Sequence, residues 1–264
     1  MKIGSLFSGI GGLELGLERS RLGSVSWQCE IDPFCQRVLA RHWPHARRFE
    51  DVRTVDATAP SADVICGGFP CQDVSLAGKR VGLAGERSGL WHEFARIIGE
   101  LEPKIVVIEN VLGLRTSGLP RVLADLADLG FDAEWADLAA SDIGAPHQRR
   151  RMFIVATHSE RVNVRLEPGW LERACRKAAA EHRLNSADGI DPDADGLRRL
   201  EQARRIATER GWSRHVGWEL GDIARMDDGF PAWVDVGRAR KALGNAVVPA
   251  CAEVIGRAIM EAIR

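Results

Sequence analysis

The sequence predicts an α/β domain on a mainly parallel sheet, with a small region inserted late in the chain. Three observations carry this. The first 156 of the 264 residues alternate strand-like and helix-like segments, the pattern left by crossover connections between parallel strands. One segment, Lys104–Ile108, carries an unbroken apolar run, as strands buried on both faces do. From about Thr157 to Val236 the alternation gives way to charged helices and loops rich in Asp, Gly and Pro, and an amphipathic pattern then returns.

The elements follow in order. Lys2–Phe7 reads as a strand, then a glycine turn and a helix to about Ser20. Ser24–Glu30 is a second strand. Asp32 has the character of an N-cap with Pro33 at the first helical position, opening a helix to about His42. Ala62–Cys66 is a strand and Gly89–Leu101 a helix; Lys104–Ile108 is the buried strand. Leu119–Leu129 is helical, and Phe131–Leu138 and Arg151–Ala156 are strands. Ala246–Ile263 closes the chain as an amphipathic helix, with Val247, Val248, Cys251, Val254, Ile255, Ala258 and Ile259 near helical spacing.

A formal net charge of −1 and 45% hydrophobic residues fit a soluble globular chain. No apolar run approaches membrane-spanning length, and no signal-peptide pattern opens the sequence. The six cysteines, Cys29, Cys35, Cys66, Cys71, Cys175 and Cys251, form neither a CxxC pair nor a Cys/His cluster with zinc spacing. A structural metal and a disulfide framework are therefore not expected, and a reducing cytoplasm fits best. Asp191, Asp193, Asp195 and Gly196 imitate the start of a calcium loop, but its twelfth position is Gln202, so calcium is not expected either.

Open α/β sheets bind ligands at the carboxyl ends of their strands, and those ends carry chemistry here. The first strand runs into Phe7-Ser8-Gly9-Ile10-Gly11-Gly12. The second ends at Glu30, suited to accept hydrogen bonds from ribose hydroxyls. Asp51-Val52 sits at the expected third position. Val64–Cys66 leads through Gly67-Gly68 to Phe69-Pro70-Cys71-Gln72, and Lys104–Ile108 ends at Glu109-Asn110. Proline stiffens the loop that presents the Cys71 thiol, and a thiol able to lose its proton is a nucleophile. The glycine turn lacks the full dinucleotide fingerprint, since Glu14 stands where the third glycine would be. A pyrophosphate there would be repelled, which favours a nucleoside cofactor without phosphates.

These motifs together resemble those of the DNA (cytosine-5)-methyltransferases of prokaryotic or phage type. Phe7–Gly12 is similar to the family's S-adenosylmethionine loop, Gly68–Gln72 to its nucleophile motif, and Glu109-Asn110-Val111 to its cytosine-binding motif. Arg149-Arg150-Arg151 resembles its arginine motif. Gly244-Asn245-Ala246-Val247-Val248-Pro249 resembles its C-terminal cofactor motif. The order is the family's own; one departure is His147, where the family commonly has glutamine.

The resemblance implies a Rossmann-like S-adenosylmethionine-dependent methyltransferase domain of residues 1–156 and 237–264, with residues 157–236 as a small target-recognition insert. It implies transfer of a methyl group from S-adenosyl-L-methionine, leaving S-adenosyl-L-homocysteine, to C5 of a flipped-out cytosine in double-stranded DNA. No metal is implied. Cys71 would add to cytosine C6, Glu109 would present a proton to N3, and Arg151 with Arg149 would hold O2 and the DNA backbone. Phe7, Gly9 and Gly11 would meet the methionine end of the cofactor, Glu30 the ribose, Asp51 the adenine amine and Ile31 the ring. Pro70 and Leu90 would line the same site, and Asn245 would lie near the cofactor carboxylate.

Gln72, then Ser75, Lys79, Arg80 and Arg87 in the glycine-rich stretch Ser75–Ser88 suited to closing over DNA, and Arg225 are the candidate DNA contacts. Residues 157–236 hold 13 Lys and Arg against 15 Asp and Glu, so any DNA-facing charge there must be segregated on one face. The expected setting is a monomer in the cytoplasm, at the nucleoid, of a prokaryotic or phage-infected cell. A cognate restriction endonuclease would be its partner in a restriction-modification system. Structured RNA is the alternative substrate, since transfer-RNA methylases share the motif set. A catalytically silent DNA-binding relative is disfavoured by the joint presence of Cys71, Glu109 and Arg151.

Overall fold

The apolar segments of the sequence assemble into one sheet. Its strands are β1 (Lys2–Leu6), β2 (Ser24–Cys29), β3 (Arg47–Phe49), β4 (Val64–Gly67), β5 (Ile105–Asn110), β6 (Phe131–Ala139) and β7 (Arg150–His158). In this computed structural model the described residues are 1–70, 89–145, 147–162, 167–187 and 236–263. The strand order is β3-β2-β1-β4-β5-β7-β6. Strands β1 to β5 pair in parallel, whereas β7 runs antiparallel to both β5 and β6. The mainly parallel α/β sheet expected from the alternation is observed.

Helices cover both faces, as such a sheet requires. On one face α3 (Leu90–Leu101) and α5 (Leu119–Asp128), the latter following β5 through the short α4 (Leu114–Ser117), bury Trp91, Phe94, Ile97, Val122 and Leu126. The other face carries α1 (Gly12–Arg19) and α8 (Pro249–Ala262), which bury Leu13, Leu17, Ile255 and Ile259. The first turns of α6 (Trp170–Ala187) add Trp170, Leu171 and Cys175 to that core. Helix α2 (Pro33–His42) starts as its sequence dictates: the Asp32 carboxylate accepts from the Phe34 and Cys35 amides, with Pro33 at the first position. The remaining described helix is α7 (Val236–Asn245). Two compact units are present, Met1–Ala179 with Val247–Arg264, and Ala180–Ala246.

Two sequence expectations need correction, and β3, for which the sequence predicts no strand, has only the residues Arg-Arg-Phe, too short and too charged for an apolar pattern. Strand β5 extends through Glu109 and Asn110, so both lie within the sheet rather than after it. The expected helix Ala246–Ile263 is observed but starts later: residues 246–248 are irregular, and Pro249 opens α8 as a first-turn proline. Among the described residues, the stretch Lys241–Ala262 is by length and composition apolar enough to cross a membrane. Within it, Cys251, Ala252, Ile255, Ala258 and Ile259 are core residues of the larger unit, which accounts for the apolarity of α8.

Helices α1 and α8 touch at backbone distance. A Cβ built on Gly16 would lie 2.3 Å from the Pro249 carbonyl oxygen and 2.4 Å from the Ala252 Cβ. On Gly12 it would lie 2.2 Å from the Val247 carbonyl oxygen. A side chain at Gly16 must therefore displace the backbone of α8. Gly16→Val is expected to destabilise the protein by about 2 kcal/mol or more, read as a lowered midpoint in urea; an unchanged midpoint would contradict this close approach.

Candidate active site

Parallel strands end along one edge, and there the chain gathers its polar groups. Beyond β1, Phe7 takes a positive φ of 55° and stacks on Phe94 of α3, centroids 6.2 Å apart. Gly9 and Gly11 follow at φ 56° and 88°, conformations open to glycine and strained for other residues. A Cβ on Gly9 would meet nothing within 4 Å among the described residues, so that backbone is open toward them. Glu30, just past β2, shapes the turn. Its Oε2 accepts from the Gly9 amide at 2.7 Å and its Oε1 from the Asp32 amide at 2.8 Å. Each oxygen keeps a lone pair for a further donor.

Ile31 is 69% exposed, an apolar side chain laid open beside that carboxylate. Asp51 opens a short 3-10 turn (Val52–Thr54) after β3, its Oδ1 accepting from the Arg53 amide and Nε. The Arg53 amide holds the Asp51 carboxyl below the usual range; Oδ2 has no partner among the described residues. Arg96 of α3 ties this turn down, donating to the Val52 and Val55 carbonyls at 3.4 and 2.9 Å while paired with Glu93 and Glu100. The combination of an open glycine backbone, a free-sided carboxylate, an apolar platform and a second acceptor fits a nucleoside with hydroxyls and an amine.

The second half of the site centres on Glu109. Strand β7 is antiparallel, so its first residues lie at the same edge as the last residues of β5. Register pairs Glu109 with Phe153, and Arg151, two residues along, shares that face. Arg151 Nε lies 3.1 Å from Glu109 Oε1, an ion pair not aligned as a hydrogen bond. Glu109 is 8% exposed. Burial pushes its carboxyl above the ordinary value of 4.5, against the pull of Arg151 and then Arg149, and burial prevails. Gly68 closes on the same carboxyl: a Cβ there would stand 3.0 Å from Oε2.

Cys71 itself lies outside the described residues, as do Gln72, Ser75, Lys79, Arg80, Arg87 and Arg225. The approach to Cys71 is described. Phe69 is buried against Trp91, centroids 5.2 Å apart, and its carbonyl accepts from Asn110 Nδ2 at 3.3 Å. Asn110 Oδ1 in turn accepts from the Val111 amide at 2.8 Å. Pro70 is half-buried, and so is Leu90, the first residue of α3. Asn245 is the exposed last residue of α7, in the smaller unit. The structure thus brings Glu109, Arg151 and Arg149 together, and separately Phe7, Gly9, Gly11, Glu30 and Ile31.

Asn110 and Arg96 were given no role by the sequence. Asn110 follows a catalytic candidate, and Arg96 stands between Glu93 and Glu100 at helical spacing, but neither signal names its backbone partner. Glu14 needs a different account from the one its position suggests: it is fully buried beneath α1 and does not face a phosphate site. Among the described residues no group of three or more His, Cys, Asp and Glu could hold a metal ion.

The profile of the family described as C-5 cytosine-specific DNA methylase matches residues 1–215. Type II methyltransferase M2.BsuMI of Bacillus subtilis (strain 168) is 35% identical over 165 residues, 60% of this chain and 42% of that protein. Type II methyltransferase M.Eco47II of Escherichia coli is 39% identical over 163 residues, 59% of this chain and 39% of that one. The chain thus spans less than half the length of these curated relatives. A solved structure of a Spodoptera frugiperda DNMT2 mutant aligns over 99% of both chains with a TM-score of 0.62 at 16% identity, a likeness of fold.

Glu109 also bears on stability. A carboxyl raised in the folded state stabilises fully only below its unfolded value, and that contribution is lost as pH rises through the folded one. The unfolding free energy of the wild type minus that of Glu109→Gln is therefore expected to fall between pH below 4.5 and neutrality, measured in urea. A difference that stays flat or grows would place Glu109 at or below the ordinary value.

Proposed function

Since the chain belongs to the C-5 cytosine-specific DNA methylase family, we propose that it methylates C5 of cytosine in double-stranded DNA with S-adenosylmethionine. The observation that carries the reading is the buried Glu109–Arg151 pair, set beside Gly68 on the loop that leads to Cys71. Cytosine C5 is too poor a nucleophile to accept a methyl group unaided. The Cys71 thiolate adds to C6, forming an S–C6 bond and pushing ring electrons toward N3 and O2. Glu109, whose carboxyl burial pushes up, presents a proton to N3, and Arg151 with Arg149 holds O2. The bound cofactor supplies the methyl group as an electrophile. A base then takes the C5 proton, the electrons return, and Cys71 leaves as thiolate.

Such a site reaches a base only when it has left the duplex, so the target cytosine is flipped out. Gln72, Ser75, Lys79, Arg80, Arg87 and Arg225 are assigned to DNA. For the cofactor, Glu30 accepts from the ribose hydroxyls, Ile31 covers the adenine ring and Asp51 Oδ2 takes its amine. Phe7, Gly9 and Gly11 border the methionine end, with Pro70 and Leu90 beside it and Asn245 toward the carboxylate. Residues 1–156 and 237–264 are assigned to the catalytic domain and 157–236 to target recognition. The chain acts in the cytoplasm as a monomer, with a cognate endonuclease where one exists.

Labelled methyl transfer to duplex DNA tests the activity, and bisulfite sequencing of the product locates the methylated site. Label entering only transfer RNA would replace the substrate. Cys71→Ser is expected to lower transfer about a thousandfold or more and to end trapping on 5-fluorocytosine DNA; a trapped complex that persists in this variant would refute the nucleophile. Glu109→Gln should cost about a hundredfold or more in single-turnover rate. The wild-type rate at saturating DNA should fall as pH rises through the raised Glu109 value, and a rate that only climbs with pH would assign the proton elsewhere.

A further inference from the structure

Beneath the glycine turn lies a sealed polar cluster that the reaction does not use. Strand register pairs Ser5 with Gln28 on one side and with Cys66 on the other, so the three form a row across β2, β1 and β4 on one face of the sheet. Cys66 belongs to the core covered by α1 and α8, which places the row under α1. All three are at most 1% exposed. Glu14, in the first turn of α1, comes down onto this row with 0% exposure.

The hydrogen bonds in the cluster do not balance for an ionised acid. Gln28 Nε2 donates to Glu14 Oε1 at 3.4 Å, and Ser8 Oγ donates to Ser5 Oγ at 2.9 Å. Among the described residues, Glu14 Oε2 and Gln28 Oε1 are both buried acceptors with no aligned donor. Burial acts on the carboxyl against the opposing pull of the Ser5 hydroxyl, its own backbone, the Ser8 hydroxyl and the Gln28 amide, and no cation is among the described groups. A carboxylate sealed among neutral groups is costly, and a buried acid in such a place takes up a proton instead. The added O–H brings a donor into a cluster that has two unmatched acceptors. Burial accordingly pushes this carboxyl up.

The cluster reaches the glycine turn through Ser8. The Ser8 amide donates to the Cys29 carbonyl at 3.1 Å, and its carbonyl accepts from the Gly11 amide at 2.9 Å. Its hydroxyl is the turn's anchor to the sheet below, as Glu30 is its anchor from the side. We infer that Glu14 is a neutral acid and the positioning residue that, with Gln28, Ser5 and Ser8, sets the glycine turn for S-adenosylmethionine. This rests on the proposed assignment of that turn to the cofactor.

Infrared spectra and calorimetric titration with S-adenosylmethionine test it on the full chain. At neutral pH the wild type should show the C=O stretch of an un-ionised carboxylic acid that is missing in Glu14→Gln. Glutamine keeps a donor and an acceptor in the acid's shape, so Glu14→Gln should bind within about twofold of wild type, and Glu14→Ala about tenfold more weakly. Leu17→Ala, which empties the same helix–sheet interface, should lower the unfolding midpoint and leave affinity within about twofold. No acid band lost on going from wild type to Glu14→Gln, or Glu14→Gln as weak as Glu14→Ala, overturns the neutral acid. An equal affinity loss in Leu17→Ala overturns the positioning role. A wild type that binds no S-adenosylmethionine sinks the cofactor assignment and the positioning role with it, while the infrared band still decides the proton.

Discussion

Strand β7 runs against its neighbours, and its register beside β5 sets Arg151 Nε 3.1 Å from Glu109 Oε1. In an all-parallel sheet the start of that strand would lie at the opposite edge, and both arginines would leave the site. One reversed strand therefore decides that a carboxyl at the end of β5 meets cations at all. The same pairing continues to Thr157 beside Ile105, so a shift of register would carry an apolar row with it. Because a slip of one residue turns every side chain to the other face, the core enforces the register that the site needs.

Two buried glutamates show how much the surroundings decide. Glu109 feels the pull of Arg151 and then Arg149 and is still raised, because desolvation outweighs both cations. Glu14 has hydroxyls, an amide and a thiol around it and no cation to offset its burial. Glu109 lies at the edge of the sheet, with an ionised partner that can exchange it for a ligand. Glu14 lies a layer deeper, sealed on every side. The edge position suits proton donation to a substrate, and the sealed one suits holding a turn in place.

Most of the fold was legible because its signals are local. The α2 start needed only Asp32 and Pro33, and β5 announced itself by its apolar run. What stayed hidden was non-local or contrary to pattern. The direction of β7 is a property of its neighbours. Strand β3 is arginine-rich, and β5 was read short because Glu109 and Asn110 end its apolar run although the sheet continues. At the C-terminus an unbroken apolar pattern concealed the irregular residues before Pro249. Glu14 was misplaced because its sequence position aligns it with a glycine, whereas helical spacing sets it beside Leu17 on the buried side. The groups of the site were legible as residue types, but Asn110 clamping Phe69 and Arg96 clamping Val52 and Val55 needed coordinates.

The α1–α8 contact gives the C-terminal motif a physical reason. Gly12 opens α1 immediately after the glycine turn, and the Val247 carbonyl lies so close above it that no side chain fits between. Gly16 meets Pro249 and Ala252 one turn later. The turn that carries Gly9 and Gly11 is thus fixed from three directions: Glu30 from the side, the Ser5–Ser8 pair from below, and the Val247 backbone at the start of the helix. Glycine is required at these contacts for the opposite of flexibility, since it lets two backbones pack without a gap. A turn so constrained has little conformational freedom left to lose, so a ligand that bound it would spend little entropy on ordering it.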